Sequence, residues 1–171
     1  MRIKKLLMMM VVMVAVMASV SCYAKITEAD LNIGGIYYGQ PAADVIKKLG
    51  EPVRRQVTPP AGSAPVFKYG NAEILVKYND YHPAVWGAYV LSGDGVYTAA
   101  GIGIGSSYDA VIKAYGPADF DSVLTHSNLK RYSVQYKIPN IKPNMVATLS
   151  FGISPDKKVI GMGFDEYDST Y

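Results

Sequence analysis

Two short segments of the chain place their apolar residues at helical spacing. The first is Ala42–Leu49 and the second is Tyr108–Tyr115, and in both the apolar residues fall at positions i, i+3, i+4 and i+7. This spacing predicts an amphipathic helix with a single apolar stripe. Pro41 suits the start of the first helix, and Ser106 or Ser107 can cap the second. Because helices this short are marginal in isolation, we expect each to pack against a sheet.

Strand patterns follow each helix. In the stretch 73–78, alternation directs Ile74 and Val76 to one face and Glu73 and Lys77 to the other. The predicted strands are 66–70, 73–78 and 85–91 after the first helix, and 130–136, 146–153 and 159–164 after the second. The chain is therefore predicted to be an α+β protein in which each helix precedes a three-stranded antiparallel meander.

Three further stretches are predicted to lie outside the strands. The stretch 56–65 is rich in proline and glycine, as loops are, and 92–98 connects the two halves of the chain. The acidic stretch 165–168 lies close to the C-terminus, and we expect it to be a frayed tail.

The segment that holds the first helix is repeated around the second. Residues 35–50 align with residues 101–116 without a gap, and seven of the sixteen positions are identical. In each copy, one glycine gives the backbone freedom to turn before the helix, and a second glycine ends the helix. They are Gly39 and Gly50 in the first copy, and Gly105 and Gly116 in the second. The repeat predicts two tandem units, residues 25–97 and residues 98–171.

The start of the second copy, GIGIGSS, is similar to a phosphate-binding loop but lacks what such a loop requires. A dinucleotide-binding fingerprint needs a glycine where Ser106 stands, and a P-loop needs a lysine that this stretch does not contain. Tyr37 replaces Gly103 in the first copy, so the middle glycine is not a requirement of the unit. We interpret the glycines as turn formers and expect no nucleotide cofactor.

The first 24 residues have the layout of a secretory signal peptide. A basic start with Arg2, Lys4 and Lys5 precedes an uncharged, largely apolar run at 6–20, and a region of small residues follows. The run is shorter than the roughly twenty apolar residues that span a bilayer. The protein is therefore predicted to be exported to the periplasm or out of the cell.

Removal of this segment changes the charge of the chain. The segment holds three of the 17 basic residues and none of the 14 acidic ones, so the net charge of +3 belongs to it. Nucleic-acid binding needs a clustered basic surface, and a neutral mature chain does not indicate one. We expect no nucleic-acid partner.

Cys22, the single cysteine, has two interpretations. It is a candidate lipid attachment residue of a bacterial lipoprotein, with Val20 and Ser21 before it, or it is lost when cleavage follows Ala24. In the first case, the only membrane contact we expect is this lipid. No internal disulfide is possible in either case, so the fold must be stabilised by its core.

The paired units, I-x-x-G followed by V-I-K-x-x-G and a meander, resemble the repeat of β-lactamase-inhibitor-protein-like proteins. A related fold occurs in small lipoproteins of the outer-membrane β-barrel assembly machinery. The resemblance covers residues 34–164 and implies two units side by side, with sheets that form one curved surface, in a binding protein rather than an enzyme. Since this chain lacks the inhibitor's disulfides, we do not expect it to inhibit a β-lactamase.

The sheet face opposite the helices is a candidate surface for a partner protein. Glu73, Lys77, Arg131 and Gln135 are predicted to lie on it, and a polar sheet face meets either water or a partner. Trp86 is either a core residue or an exposed binding anchor.

A loop between the second and third strands of the first unit is the other candidate. Inhibitory members of the resembled group present an aspartate and aromatic residues from such a loop. The corresponding residues here are 79–82, with Asp80 and Tyr81 at their centre.

Catalytic and metal sites find little support in the sequence. His82 and His126 stand apart, whereas zinc needs three or four ligands. Asp119 and Asp121 lack the glycine and the distal glutamate of a calcium loop. A hydrolase would have to use Asp80, His82 and Asp119, and it would need a deep cleft that brings them together.

The sequence thus predicts an exported or envelope-anchored, non-enzymatic module that binds another protein. Two alternatives stay open at this stage. One is a lipoprotein that aids outer-membrane assembly, and the other is a hydrolase that acts on envelope polymers.

Overall fold

The computed structural model describes residues 25–57, 63–126 and 129–170, with side chains described at all of these except 123–132. The predicted signal peptide, Cys22 and residues 58–62 of the predicted loop lie outside the described residues.

The described chain consists of two helices, a short 3₁₀ turn and ten strands. The 3₁₀ turn Glu28–Asp30 and the strands β1 (Asn32–Ile33) and β2 (Ile36–Tyr37) come before helix α1 (Ala42–Leu49). The strands β3 (Arg54–Val57), β4 (Ser63–Tyr69), β5 (Ala72–Lys77) and β6 (Gly87–Ser92) follow it. Helix α2 (Tyr108–Tyr115) is followed by β7 (Phe120–His126), β8 (Leu129–Lys142), β9 (Met145–Ile153) and β10 (Val159–Asp168).

Eight of these strands form one antiparallel sheet in the order β3-β4-β5-β6-β10-β9-β8-β7, and β1 pairs with β2 in a separate small sheet. The four strands after α1 meet the four strands after α2 at the β6–β10 pair, where Val90 lies opposite Met162 and Ala88 opposite Phe164. The predicted α+β class and both helices are confirmed. Each helix is followed by four strands, however, and not by three.

In the eight-stranded sheet, the edge strands β3 and β7 were not predicted from the sequence, and neither were β1 and β2 of the small sheet. In β3, the side chains of Arg54, Arg55 and Val57 are exposed, so no alternation of buried and exposed residues marks the strand. Its register comes instead from backbone pairing with β4. The prediction of a loop at 56–65 was wrong at its ends. Residues 56–57 belong to β3 and residues 63–65 belong to β4, and these two strands pair with each other.

The expectation of a frayed acidic tail at 165–168 was also wrong. Strand β10 continues to Asp168 and pairs with β9 as far as Met145. Two of the acidic side chains in this stretch are held by ion pairs, Asp165 with Lys77 and Glu166 with Lys142, which offset the charge that argued against a strand.

The main core lies between the helices and one face of the sheet. On this face of the large sheet, the largest fully buried side chains are Phe67, Ile74, Tyr136, Leu149, Phe151, Ile153 and Phe164. Predicted inward residues such as Ile74 and Val76 are fully buried. The alternation that buries Met162 and Phe164 would direct Ile160 to the core as well, but Ile160 is 45% exposed, because a bulge after Val159 shifts the register of β10.

The opposite face of the sheet is less polar than the sequence analysis expected. A second apolar cluster lies there, formed by Ala64, Val66 and Leu75 with Tyr89 packed against them. Leu75 lies opposite Tyr89 in the ladder between β5 and β6, so the two side chains share this face. We call this side of the sheet the outer face.

Both helices end at a glycine with nearly the same backbone angles. Gly50 has φ 80° and ψ −166°, and Gly116 has φ 79° and ψ −165°. This region of backbone space is open essentially to glycine alone. At the other end of α2, the side chain of Ser107 accepts a hydrogen bond from the backbone of Ala110 at 3.1 Å, as predicted for a cap. The hydroxyl of Tyr136 donates to the carbonyl oxygen of Gly116 at 2.9 Å and ties the helix end to β8.

We expect Gly116→Val to destabilise the protein by about 3 kcal/mol and Ser107→Ala by about 1 kcal/mol. The valine needs a backbone conformation that only glycine adopts cheaply, whereas the alanine loses one cap. Thermal and urea unfolding of the purified variants measures both. Gly50→Val is the matched control for backbone strain, because nothing lies within 4 Å of a Cβ added there. Equal stabilities for Gly116→Val and Ser107→Ala would contradict the assigned helix end.

Candidate functional site

A mostly apolar groove of about 650 Å³ opens where the loop before β6 meets the end of β10. Four stretches of the chain line it: Tyr38–Gly39 ahead of α1, residues 82–86, the two residues Lys142 and Met145 at the turn between β8 and β9, and residues 166–168. We call this the loop groove. Since these stretches are far apart in the sequence, only the folded sheet brings them together.

Backbone hydrogen bonds attach the loop before β6 to the start of α1. The N–H of Gly39 donates to the carbonyl oxygen of Val85, and the N–H of Val85 donates to that of Gln40, both at 2.8 Å. The N–H of Ala42 donates to the carbonyl oxygen of Pro83 at 2.7 Å. Gly39 has φ 80°, which lets the chain turn into the helix at this point. One wall of the groove is therefore fixed by backbone contacts rather than by side chains.

Three polar side chains meet on the floor of the groove. The side chain of Glu166 is 9% exposed, and it accepts a hydrogen bond from the hydroxyl of Tyr38. The ammonium of Lys142 lies 2.9 Å and 3.3 Å from the two carboxylate oxygens of Glu166. The same ammonium lies 5.2 Å from the centre of the Tyr38 ring. These three groups thus satisfy one another.

Burial raises the pKa of the Glu166 carboxyl above its usual range. Removal from water disfavours the charged form of a carboxyl, and this is the cause of the shift. Glu166 therefore holds its proton more tightly than a solvated carboxyl does.

The neighbouring residue, Asp165, faces the other side of the sheet in a similar arrangement. Its Oδ2 atom lies 2.6 Å from the ammonium of Lys77 and 2.6 Å from the hydroxyl of Tyr89. Burial first, and then the charge of Asp165, raise the pKa of Tyr89 far above its usual range. The ring of Tyr89 lies directly on Gly163, where an added Cβ would come within 2.1 Å of it. Glycine at this position lets the tyrosine reach the aspartate.

Trp86 connects the two sides of the sheet. Its carbonyl oxygen accepts from the N–H of Glu166 at 3.0 Å, and the ammonium of Lys77 lies 4.9 Å from the centre of its ring. The side chain is half-buried and packs against the main core while lining the loop groove. Trp86 is therefore neither a fully buried core residue nor a fully exposed anchor, because it contacts both the core and the groove.

The predicted contact loop forms a tight turn at the rim of the groove. The side-chain oxygen of Asn79 accepts from the N–H of Tyr81 at 2.9 Å and from that of His82 at 2.8 Å. This turn leaves Asp80 exposed and Tyr81 91% exposed, directly before the groove-lining His82. The structure therefore places two of the predicted contact residues beside the groove.

The other predicted contact residues lie elsewhere. Glu73 is on β5, 2.8 Å from a guanidinium nitrogen of Arg54 and 3.4 Å from the ammonium of Lys68. Gln135 lies opposite Ser150 in the ladder between β8 and β9. The backbone of Arg131 lies in β8, and its side chain is outside the described set. Neither Glu73 nor Gln135 lines the loop groove.

The candidate hydrolase residues are not gathered in one cavity. His82 lines the loop groove and Asp80 is exposed on the same turn. Asp119 lines a different depression and accepts a hydrogen bond from the N–H of Lys137 at 2.7 Å. The side chain of His126 is outside the described set.

Among the described residues, no group of three or more histidine, cysteine or acidic side chains is placed to hold a metal ion. The carboxylate of Asp121 accepts from the hydroxyl of Tyr108 at 2.8 Å. No helix in the described ranges has the length and apolar character needed to cross a membrane.

Tyr38, Lys142, Glu166 and Tyr167 line the groove, and sequence reasoning missed all four. One signal was available for Glu166. The alternation that places Phe164 in the core also directs residue 166 to the same face, provided that the strand continues. For Tyr38 and Lys142 no local pattern exists, since their roles depend on contacts with distant parts of the chain.

Comparison with known proteins identifies no family. No protein-family profile matches the chain, and no curated protein matches it.

Solved structures of similar shape do exist. One is a cysteine-rich secretory protein from Staphylococcus aureus, with a TM-score of 0.50 and 17% identity over 76% of this chain and 44% of that one. The second is a DUF4309-family protein from Bacillus subtilis, with a TM-score of 0.46 and 14% identity over 78% and 83% of the two chains. The third is a candidate β-lactamase inhibitor protein from Streptococcus mutans, with a TM-score of 0.29 and 13% identity over 76% and 83%. The chain spans less than half of the staphylococcal structure, and the likeness to it shows a shared fold alone.

The raised pKa of Glu166 has a consequence for stability. A raised pKa means that the folded state holds the proton more tightly, so the stabilisation is present below the ordinary value of 4.5 and is lost as the pH rises through the folded-state pKa. We expect the difference in free energy of unfolding, wild type minus Glu166→Gln, to fall with rising pH across this window. Urea unfolding at a series of pH values measures it.

Asp168→Asn is the control of opposite sign. Hydrogen bonds from Thr170 lower the pKa of Asp168, so its stabilisation is present above 3.8 and is lost as the pH falls. Its difference curve should therefore rise with pH. A Glu166→Gln difference that is flat or rises with pH would contradict the buried acid.

Proposed function

We propose that the chain is an exported, non-catalytic module that binds another protein in the cell envelope or outside the cell. The loop groove is its binding site, and it takes one or two apolar side chains of the partner. The observation that carries this proposal is a mostly apolar groove bordered by exposed aromatic residues.

A protein partner suits this surface better than a small molecule does. Tyr81 is 91% exposed and Tyr167 is 41% exposed, so the aromatic surface extends beyond the groove itself. A ligand confined to the groove would leave these rings in water, whereas a protein surface would cover them. Binding energy at protein interfaces is concentrated in tryptophan, tyrosine and arginine near a dry centre. Trp86, which lines the groove, is placed to serve as that centre.

The polar groups of the groove favour a binding role over a catalytic one. A catalytic acid, base and nucleophile converge on a point that the substrate will occupy. Here Tyr38, Glu166 and Lys142 bind one another and leave the apolar walls to make contact. These mutual contacts hold the three side chains in place, so that they form a rigid floor beneath a side chain of the partner.

The proposal includes the internal duplication predicted from the sequence. The same hydrogen bond occurs at both helix starts, from the N–H of Gly39 to Val85 and from the N–H of Gly105 to Val159, each at 2.8 Å. The glycine angles at the two helix ends are also nearly identical. These repeated details support two tandem units of the β-lactamase-inhibitor-like kind, joined side by side in one sheet.

Export follows from the predicted signal peptide. If Cys22 carries a lipid, the module is anchored by it to a membrane, and a role in outer-membrane assembly becomes the favoured form of the proposal. If cleavage follows Ala24, the chain begins at Lys25 and is released. In both forms the loop groove is the contact site.

A photo-crosslinking amino acid at Ala84 tests the proposal. Ala84 is exposed and lines the groove, while Ala99 is exposed and does not line it, so the second position is the matched control. We expect Ala84, and not Ala99, to yield a polypeptide adduct in the cells that make the protein, identified by mass spectrometry. A lipid or small-molecule adduct at Ala84, or equal adducts at both positions, would contradict the proposal.

A further inference from the structure

The charges around the loop groove restrict which partner segment fits it. Lys142 is the one lysine or arginine that lines the groove among the described residues, and its ammonium is bound to both carboxylate oxygens of Glu166. Since the carboxylate of Glu166 is nearly buried, the lysine cannot turn toward an acidic ligand without leaving a buried acid unpaired. The groove is therefore poorly suited to an anionic partner.

The negative charges of two acidic residues at the rim are not neutralised by an ion pair of this kind. Asp168 lines the groove, and its carboxylate accepts hydrogen bonds from the hydroxyl and the N–H of Thr170 at 2.7 Å and 2.8 Å. Asp80 is exposed at the tip of the turn before the groove. Within the described ranges, no ion pair includes either of these carboxylates. Because the charges of Lys142 and Glu166 cancel each other, the negative charges of Asp80 and Asp168 remain at the rim.

The aromatic ring of Tyr81 at the rim favours the same kind of partner. Tyr81 is one residue from Asp80 in the exposed turn. Tyr167 and Asp168 follow one another in β10 and direct their side chains to opposite faces of the sheet, so they do not form a second pair of this kind. A cation placed over an aromatic face is attracted by the ring as well as by the nearby acid. The lysines Lys25 and Lys137 line a separate depression that shares only Tyr167 with the groove.

We propose that the partner segment carries a lysine or arginine next to the apolar side chain that enters the loop groove. The apolar side chain fills the groove beside Trp86, and the basic residue lies at the rim beside an aspartate. This inference rests on the proposed function, because it names the chemistry of the partner at the same site.

Trp86 reports directly on occupation of the groove, since it is the single tryptophan of the chain and lines the site. The probes are three capped hexapeptides, GKFLKG, GQFLQG and GEFLEG, and dodecanoate as an amphiphile without a peptide. Each is titrated into the purified protein while the fluorescence of Trp86 is followed. We expect the lysine peptide to bind roughly threefold to tenfold more tightly than the glutamine peptide. The difference should shrink in about 0.5 M salt, because salt screens exposed charges.

Two variants separate the contributions of charge and groove. The double variant Asp80→Asn with Asp168→Asn should remove the preference, so that it binds the lysine peptide and the glutamine peptide with the same affinity. Both aspartates are exposed, so the fold should be retained, and circular dichroism checks this. Ala84→Gln should weaken all three peptides, because it puts a polar amide on the apolar wall.

The outcomes distinguish the inference from the proposed function. If the glutamine or glutamate peptide binds as tightly as the lysine peptide, or if the double variant keeps the preference, the charge inference is wrong while peptide binding stands. If no peptide binds, or only dodecanoate does, both the inference and the proposed function are overturned.

Discussion

Strands β6 and β10 pair from Val90 with Met162 to Gly87 with Asp165, and this one ladder joins the four strands after α1 to the four strands after α2. Everything on either side depends on it. The main apolar cluster continues across the seam, with Val76 and Ala88 on one side and Leu149 and Phe164 on the other. Without the seam, each half would leave an unpaired edge strand with an apolar face in water, which is a poor end for a sheet.

The seam also creates the candidate site. Residues 165 and 166 follow one another in β10, so their side chains point to opposite faces of the sheet. Asp165 is held on the outer face by Lys77 and Tyr89, which belong to the first half of the chain. Glu166 is held on the other face by Tyr38 from the first half and Lys142 from the second. The loop groove lies above the second set, so its floor exists only when the halves are joined.

The parts of the structure that the sequence predicted are those with a local cause. Both helices have an apolar stripe and a glycine at the end, and those signals lie within sixteen residues. In β9 the buried residues Leu149, Phe151 and Ile153 alternate with the half-buried Ser150 and Gly152, whereas in β5 the outward-facing Leu75 is buried as well. Edge strand β3 has no such pattern, since three of its four side chains are exposed.

The site was only partly predictable for a related physical reason. Asp80, Tyr81 and Trp86 were predicted from a loop position and a residue type. Trp86 lines the groove, and Asp80 and Tyr81 belong to the turn directly before the groove-lining His82. The floor was not recognised, because Glu166 looks like a solvated acid until Tyr38 and Lys142 are brought to it across 128 and 24 residues of chain. Contacts of this kind depend on strand order, which periodicity does not reveal.

Differential scanning calorimetry tests the seam most directly. If β6 and β10 join the halves around one core, the chain unfolds in a single transition whose calorimetric enthalpy equals its van't Hoff enthalpy. Two separate transitions, or a calorimetric enthalpy well above the van't Hoff value, would mean that the halves fold independently and that the groove between them is not a fixed feature of the protein.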